Sequence, residues 1–344
     1  MVIINTSTNS TIHFTHMSAV QLDATALNAA RAFDLIRVRL KALFALFDAE
    51  GVTEVNLNGP GKTFIVKGGE RLHIPTDVID EVTAASAVRE LASSMGQESK
   101  ASDITGIVDA KMPGFRFSAI LSPIATAGTA FSIRKHNPQV LALSDYVTNG
   151  GIPVEIAEYL SKQVKSGANI LIGGSTDSGK TTFLNALSRE IPTTERVATI
   201  EDTRELKLIV NNWLALETNA QKHVTATLCL KALMRHSPDR IICGELRDGA
   251  AADFISSTNT GHHGCMSTVH CGSAALGLER LEDLCLQGAS DWPLLVIKRN
   301  IGRSINLVAF FEKRDGIRRL VELVEVHGID LVSQSYQTKT IFQQ

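Results

Sequence analysis

Over residues 21–48 apolar and charged positions alternate at helical spacing, carried by Ala30, Phe33, Leu35, Ile36, Val38, Leu40, Leu43, Phe44 and Phe47. That period predicts an amphipathic helix. A strand-like run at 53–58, a Gly59-Pro60-Gly61 turn and a second run at 62–67 predict a hairpin. Residues 76–95 read as another helix, and 114–134 as two strands around a loop holding Pro123, Ala127 and Gly128. Together they predict an N-terminal α/β domain over residues 1–135. Turn-forming residues dominate 135–139 and 146–151, which places a linker at 136–151. From Pro153 onward helical segments alternate with short apolar runs at 170–172, 197–200, 241–243 and 266–269. This rhythm predicts a mostly parallel sheet flanked by helices, making the fold class α/β. The stretch after Gly328 is polar and is expected to form a loosely ordered tail of the second domain, which spans 152–344.

Composition narrows the field. A chain of 344 residues, 44% hydrophobic, exceeds one ordinary domain and can bury two cores. The net charge of −2 argues against a broad basic surface, so no direct nucleic-acid binding is expected. Five cysteines, Cys229, Cys243, Cys265, Cys271 and Cys285, are odd in number and lack C-x-x-C spacing. They predict small buried side chains in a reducing compartment rather than disulfides. The first ten residues lack a basic, then apolar, leader pattern, and no apolar run approaches a membrane span. Any membrane association is therefore expected to be peripheral.

The chemistry concentrates after the run Ile170-Leu-Ile, where Gly174-Ser175-Thr176-Asp177-Ser178-Gly179-Lys180-Thr181-Thr182 enters a helical pattern. Strand, G-x4-G-K-T and helix together are the mark of a phosphate-binding loop. Its glycines let backbone amides close on phosphate, Lys180 reaches the β and γ phosphates, and Thr181 offers its hydroxyl to Mg²⁺. The helix N-terminus adds a favourable dipole. ATP with Mg²⁺ is the expected ligand. Hydrolysis also requires groups that order water and carry positive charge. Three later segments can supply them: the acidic run Glu201-Asp202-Thr203-Arg204-Glu205, the strand end Gly244-Glu245-Leu246-Arg247-Asp248, and the stretch from Gly261 to His270. His262, His263, Cys265, His270 and Cys271 are also competent zinc ligands, but their spacing matches no common zinc pattern.

In their order and spacing these motifs resemble the type II/IV secretion superfamily of traffic ATPases, and most of all the VirB-type hexameric ATPase of type IV secretion and conjugation systems. The resemblance covers residues 153–311 and, more loosely, the N-terminal domain. It implies a RecA-like P-loop domain, a ring of six subunits, and nucleotide at the hinge between two domains. It gives Glu201 a place near the attacking water, and Glu245 a role in supporting water and, with Thr181, Mg²⁺. His270 would couple the γ-phosphate to its neighbours. Lys180, Glu201, Glu245 and His270 are thus the expected catalytic residues. The loop residues 174–182 with Arg116, Arg134, Arg204 and Arg247 are the expected nucleotide contacts. Implied partners are inner-membrane and cytoplasmic components of a secretion or conjugation machine, at the cytoplasmic face of the bacterial inner membrane. The strand end Gly-Glu, in place of Asp-Glu, agrees with this superfamily. Asp177 departs from it, because the family commonly has glycine or another uncharged residue there. A carboxylate beside bound phosphates would repel them by roughly one to several kcal/mol unless it points away. Three other readings share much of this pattern: a type II secretion or type IV pilus ATPase, a slow nucleotide switch, and a nucleic-acid motor.

Overall fold

The computed structural model describes residues 33–75, 78–94, 106–112, 114–135, 140–219, 222–289, 291–314 and 316–344. The chain divides into two units, Met1–His136 and Asn137–Gln344.

In the first unit, helix α1 (Lys41–Asp48) leads into strands β1 (Val52–Asn58), β2 (Thr63–Lys67) and β3 (Glu70–Ile74), then helix α2 (Glu81–Ser94) and strands β4 (Ile107–Met112), β5 (Phe115–Ile120) and β6 (Ala130–Lys135). They form a six-stranded sheet, β3-β2-β1-β6-β5-β4, with every pair antiparallel. Alternation builds its core: Phe115, Phe117 and Ala119 of β5 and Phe131 and Ile133 of β6 face inward with Val55 and Leu57. Leu43, Phe44 and Phe47 of α1 close this layer, and the ring of Phe115 sits 5.3 Å from Phe44 and 5.5 Å from Phe47. The expected hairpin at 53–67 is β1 and β2, extended by β3. Of the helix expected over 21–48, residues 21–32 lie outside the described residues.

The second unit contains α3 (Leu143–Thr148), α4 (Val154–Lys165), β7 (Ile170–Gly174), α5 (Lys180–Ser188), β8 (Arg196–Glu201), β9 (Asn212–Glu217) and α6 (Ala226–Leu233). β10 (Arg240–Cys243), α7 (Ala250–Asn259), β11 (Met266–His270), α8 (Ala274–Gly288) and α9 (Leu294–Ser304) follow, and then β12 (Leu307–Arg314), β13 (Ile317–Ile329) and β14 (Tyr336–Gln343). They build an eight-stranded sheet in the order β14-β13-β12-β7-β11-β10-β8-β9. The run from β12 to β9 is parallel, and β13 and β14 close one edge as antiparallel strands. Neighbouring residues of one strand enter different cores. Leu171, Ile241 and Val308 pack with α6 to α9, whereas Ile170, Ile172, Ile242 and Leu307 pack with α3, α4 and α5. Burial on both faces explains the continuous apolar runs in the sequence.

Two expectations change here. Part of the stretch read as a linker is helix α3, whose Tyr146 is buried against Phe183 and Phe311 in the second unit; residues 136–139 lie outside the described residues. The polar stretch after Gly328 is not a loose tail. Tyr336–Gln343 pairs along β13 as the edge strand, so its polar residues suit a strand with little to bury.

Candidate nucleotide-binding site

The loop after β7 is shaped by its glycines. Gly174 has φ 155° and Gly179 φ 92°, and a Cβ on Gly174 would fall 2.4 Å from Ser178 Oγ and 2.5 Å from the Phe311 carbonyl oxygen. Those atoms fill the space a side chain would take, so only glycine lets the loop pass this close to Ser178 and to β12. Gly179 caps α5, whose N-terminal amides are aimed at the loop as a ready anion site. Ser178 Oγ is buried and has no hydrogen-bond partner, while Ser175, Thr176 and Asp177 are exposed. Lys180 is only 7% exposed, and its ammonium donates to the carbonyls of Gly174 (2.9 Å) and Ser175 (2.7 Å). Burial pulls its pKa below the ordinary lysine value, against the pull of Glu245. An orphaned hydroxyl and a buried ammonium resting on carbonyls fit a phosphate group. Thr181 and Thr182 stand half-buried on the first turn of α5.

Behind this loop a polar chain crosses the sheet. Lys180 Nζ lies 3.3 Å from His270 Nδ1, and His270 Nε2 lies 2.9 Å from Glu245 Oε1. Arg247 then donates to Glu245 Oε2 through Nε (2.8 Å) and Nη2 (2.6 Å), and to Asp202 Oδ2 through Nη1 (2.8 Å). Asp202 Oδ1 accepts from Thr218 Oγ1 at 2.8 Å. These residues lie at the carboxyl ends of β7, β11, β10, β8 and β9, which are consecutive neighbours in the sheet. Ligands of open α/β sheets bind at that end. Burial and the adjacent Lys180 hold the His270 pKa below the ordinary histidine value. A neutral imidazole fits both contacts: Nδ1 accepts from lysine and Nε2–H donates to glutamate.

Glu201, at the end of β8, is 5% exposed. Its Oε1 accepts from the amides of Glu205 and Leu206, both at 2.9 Å, and its buried Oε2 has no partner. Burial raises its pKa to about 6, against those two amides. It lies close to Gly244, since a Cβ on that glycine would fall 3.2 Å from Glu201 Cγ. This proximity puts the acid beside the Gly244-Glu245 strand end, where a side chain on residue 244 would crowd it.

Other expected residues sit elsewhere. Arg204 is exposed and stacks on Trp213, 4.4 Å from the ring centroid, so the polar chain does not include it. Arg116 and Arg134 belong to the first unit, at opposed register positions of β5 and β6, and Arg116 is paired with Asp109. The histidines and cysteines of 262–271 do not converge. His262 and His263 precede β11 and His270 ends it, and a five-residue strand separates its ends by about 13–16 Å. Among the described residues no group of three or more His, Cys, Asp or Glu side chains is arranged to hold a metal ion. Cys229, Cys243, Cys265 and Cys285 are buried, and Cys271 is half-buried beside Gly173.

The sequence motifs do not reveal what holds Asp177. At φ 62° it occupies the left-handed region, and its carboxylate meets Arg318 Nη2 at 2.8 Å and Lys313 Nζ at 3.5 Å. The acid is thus neutralised by the β12–β13 hairpin. Nothing in local spacing signals this, because Arg318 lies 141 residues further along.

A parallel sheet with a phosphate loop after β7, and acids at the ends of β8 and β10, defines a P-loop NTPase of RecA-like architecture. The chain belongs to the type II/IV secretion system protein family, whose pattern matches residues 41–311. It is 34% identical over 300 residues to the conjugal transfer protein TrbB of Rhizobium radiobacter, covering 86% of this chain and 89% of that one. A type IV secretion system protein, the PtlH homolog of Bordetella bronchiseptica, is 30% identical over 319 residues, covering 83% and 93%. Among solved structures, the ATPase DotB of Yersinia pseudotuberculosis superposes with a TM-score of 0.58 at 15% identity, over 84% of this chain and 79% of that one. That likeness concerns the fold.

Proposed function

We propose that this chain hydrolyses ATP with Mg²⁺ and that the hydrolysis powers substrate translocation or pilus assembly by a type IV secretion system of the conjugation kind. The observation that supports this most is the unbroken polar chain from Lys180 through His270, Glu245 and Arg247 to Asp202, directly behind the phosphate loop. The conjugal transfer and type IV secretion proteins similar to it supply the transport half of the reading.

The residues divide the work as follows. Lys180 rests on two carbonyls and an imidazole, all weaker acceptors than a phosphate oxyanion, so a triphosphate entering the loop draws the ammonium to itself. His270 Nδ1 is then released, and its change in environment passes through Nε2 to Glu245. Glu245 and Glu201 order the attacking water, and Arg247 holds the Glu245 carboxylate in place. Thr181, and Glu245 through water, are the residues that would hold Mg²⁺, whose charge offsets that of the phosphoryl group when bound. The loss of phosphate reverses the lysine's choice of partner, which makes Lys180–His270 a sensor of the nucleotide state. The working particle in this reading is a ring of six subunits, docked on inner-membrane and cytoplasmic components of the machine. Among the described residues no helix is long and apolar enough to cross a membrane, and the attachment proposed is peripheral.

The test is turnover by the purified protein. Lys180→Ala should abolish ATP hydrolysis and secretion while its circular dichroism matches wild type. Glu245→Gln should slow hydrolysis by about 10²–10⁴-fold with ATP binding nearly intact, the range expected for removing a group that handles the water's proton. Normal turnover in the Lys180 variant would end this reading.

A further inference from the structure

The phosphate loop carries its own negative charge, three residues before Lys180, and the structure shows how that charge is held. Asp177 Oδ1 accepts from Arg318 Nη2 at 2.8 Å, its backbone carbonyl accepts from Arg318 Nε at 3.2 Å, and Oδ2 lies 3.5 Å from Lys313 Nζ. One guanidinium thus grips both the side chain and the main chain of a single loop residue. Its stem also covers the next bend, because a Cβ on Gly179 would fall 2.4 Å from Arg318 Cδ. Asp177 and Gly179 are two of the positive-φ positions that shape the loop, at 62° and 92°. Glycine takes such angles freely, whereas aspartate is strained there unless something holds it.

We propose that Arg318 is a positioning residue of the nucleotide site: with Lys313 it neutralises Asp177 and fixes the loop backbone at 177–179 in the shape that receives phosphate. The inference rests on the reading of this loop as an ATP site. Without Arg318, a carboxylate inside the loop faces a triphosphate of the same sign, and a strained residue loses its clamp. Asp177 and Arg318 therefore form one unit, in which either residue is harmful without a substitute for the other's role. A glycine at 177 needs neither the charge nor the clamp. Arg318 lies on β13, beyond the loop, acid, strand-end and histidine motifs, so the hairpin becomes part of the site through the tertiary fold alone.

The experiment is calorimetric titration of the full chain with MgADP in four forms: wild type, Asp177→Gly, Arg318→Met and the double variant. Arg318→Met should weaken binding about three- to tenfold at low salt, and by less in high salt, as expected for a half-exposed carboxylate that has lost one of its cations. Asp177→Gly, which removes the loop's own negative charge, should bind MgADP more tightly than wild type. The double variant should return to within about twofold of wild type. Arg318→Lys, which keeps a charge near Oδ1, should lie between wild type and Arg318→Met. Equal weakening by Arg318→Met in both backgrounds would mean that the arginine touches nucleotide or supports the fold in general, and would overturn the proposal. So would the absence of any weakening. Failure of the wild type to bind MgADP at all would instead remove the nucleotide reading on which the proposal stands.

Discussion

Glu201 shows how one side chain can link stability and turnover. Its carboxyl is almost fully enclosed, one oxygen is held by two amides, and the other has no partner. Burial outweighs the amides, so the folded pKa rises from 4.5 to about 6. The fold therefore favours the protonated form. Its stabilising contribution is complete below pH 4.5 and is lost as the pH rises through 6, amounting to at most about 2 kcal/mol at 1.36 kcal/mol per pH unit. Urea denaturation between pH 4.5 and 7 should show this decline in wild type, and Glu201→Gln should remove it. An unchanged slope in the variant would assign the titration to another group. In the proposed water-ordering role Glu201 acts in its ionised form, so turnover should rise with pH through the same interval, opposite in sign to the stability. A group tuned towards neutrality at such a cost is the pattern expected of an acid or base in use.

Helices and strands place these side chains through packing remote from the chemistry. Phe183 stands three residues after Lys180 on α5, with its ring 5.1 Å from Tyr146 of α3 and 4.2 Å from Phe311 of β12. This trio anchors the helix whose first residue is the lysine. Phe183→Ala should cost about 3–5 kcal/mol in urea denaturation, the usual range for emptying a buried aromatic site. A loss below about 1 kcal/mol would show that α5 is held by other contacts. Phe311 also lends its carbonyl to the crook of Gly174, so β12 serves both the core and the loop. The hairpin that continues from it carries Lys313 and Arg318, and its far strand pairs with β14. An element that reads as an afterthought in sequence is thus bonded, through two strands, to the phosphate loop.

For the whole molecule, light scattering of the purified chain with Mg²⁺ and ATP should report six subunits if the ring reading holds. A monomer that binds ATP without turning it over would favour a slow switch. The α/β class, the parallel sheet and the phosphate loop were legible in the sequence, because each rests on local chemistry, whereas the places of Glu201, Glu245 and His270 came from the family resemblance. A buried parallel strand must be an apolar run, and a loop that wraps phosphate must be rich in glycine. Three things could not be read there. The strand at 336–343 is polar because it lies at an edge, so its order comes from backbone pairing with β13 and leaves no apolar pattern. Residues 143–148 look like connector until Tyr146 meets Phe183 and Phe311. The third is partnership among charges. Lys180, His270, Glu245, Arg247 and Asp202 were each visible, yet their sequence separations reach 90 residues, and Arg204, equally basic, stacks on Trp213 instead. Local sequence determined which residue types the chain brings to its nucleotide site. Only the tertiary order of the strands decided which of them touch, because a hydrogen bond depends on a distance of about 3 Å that no spacing along the chain encodes.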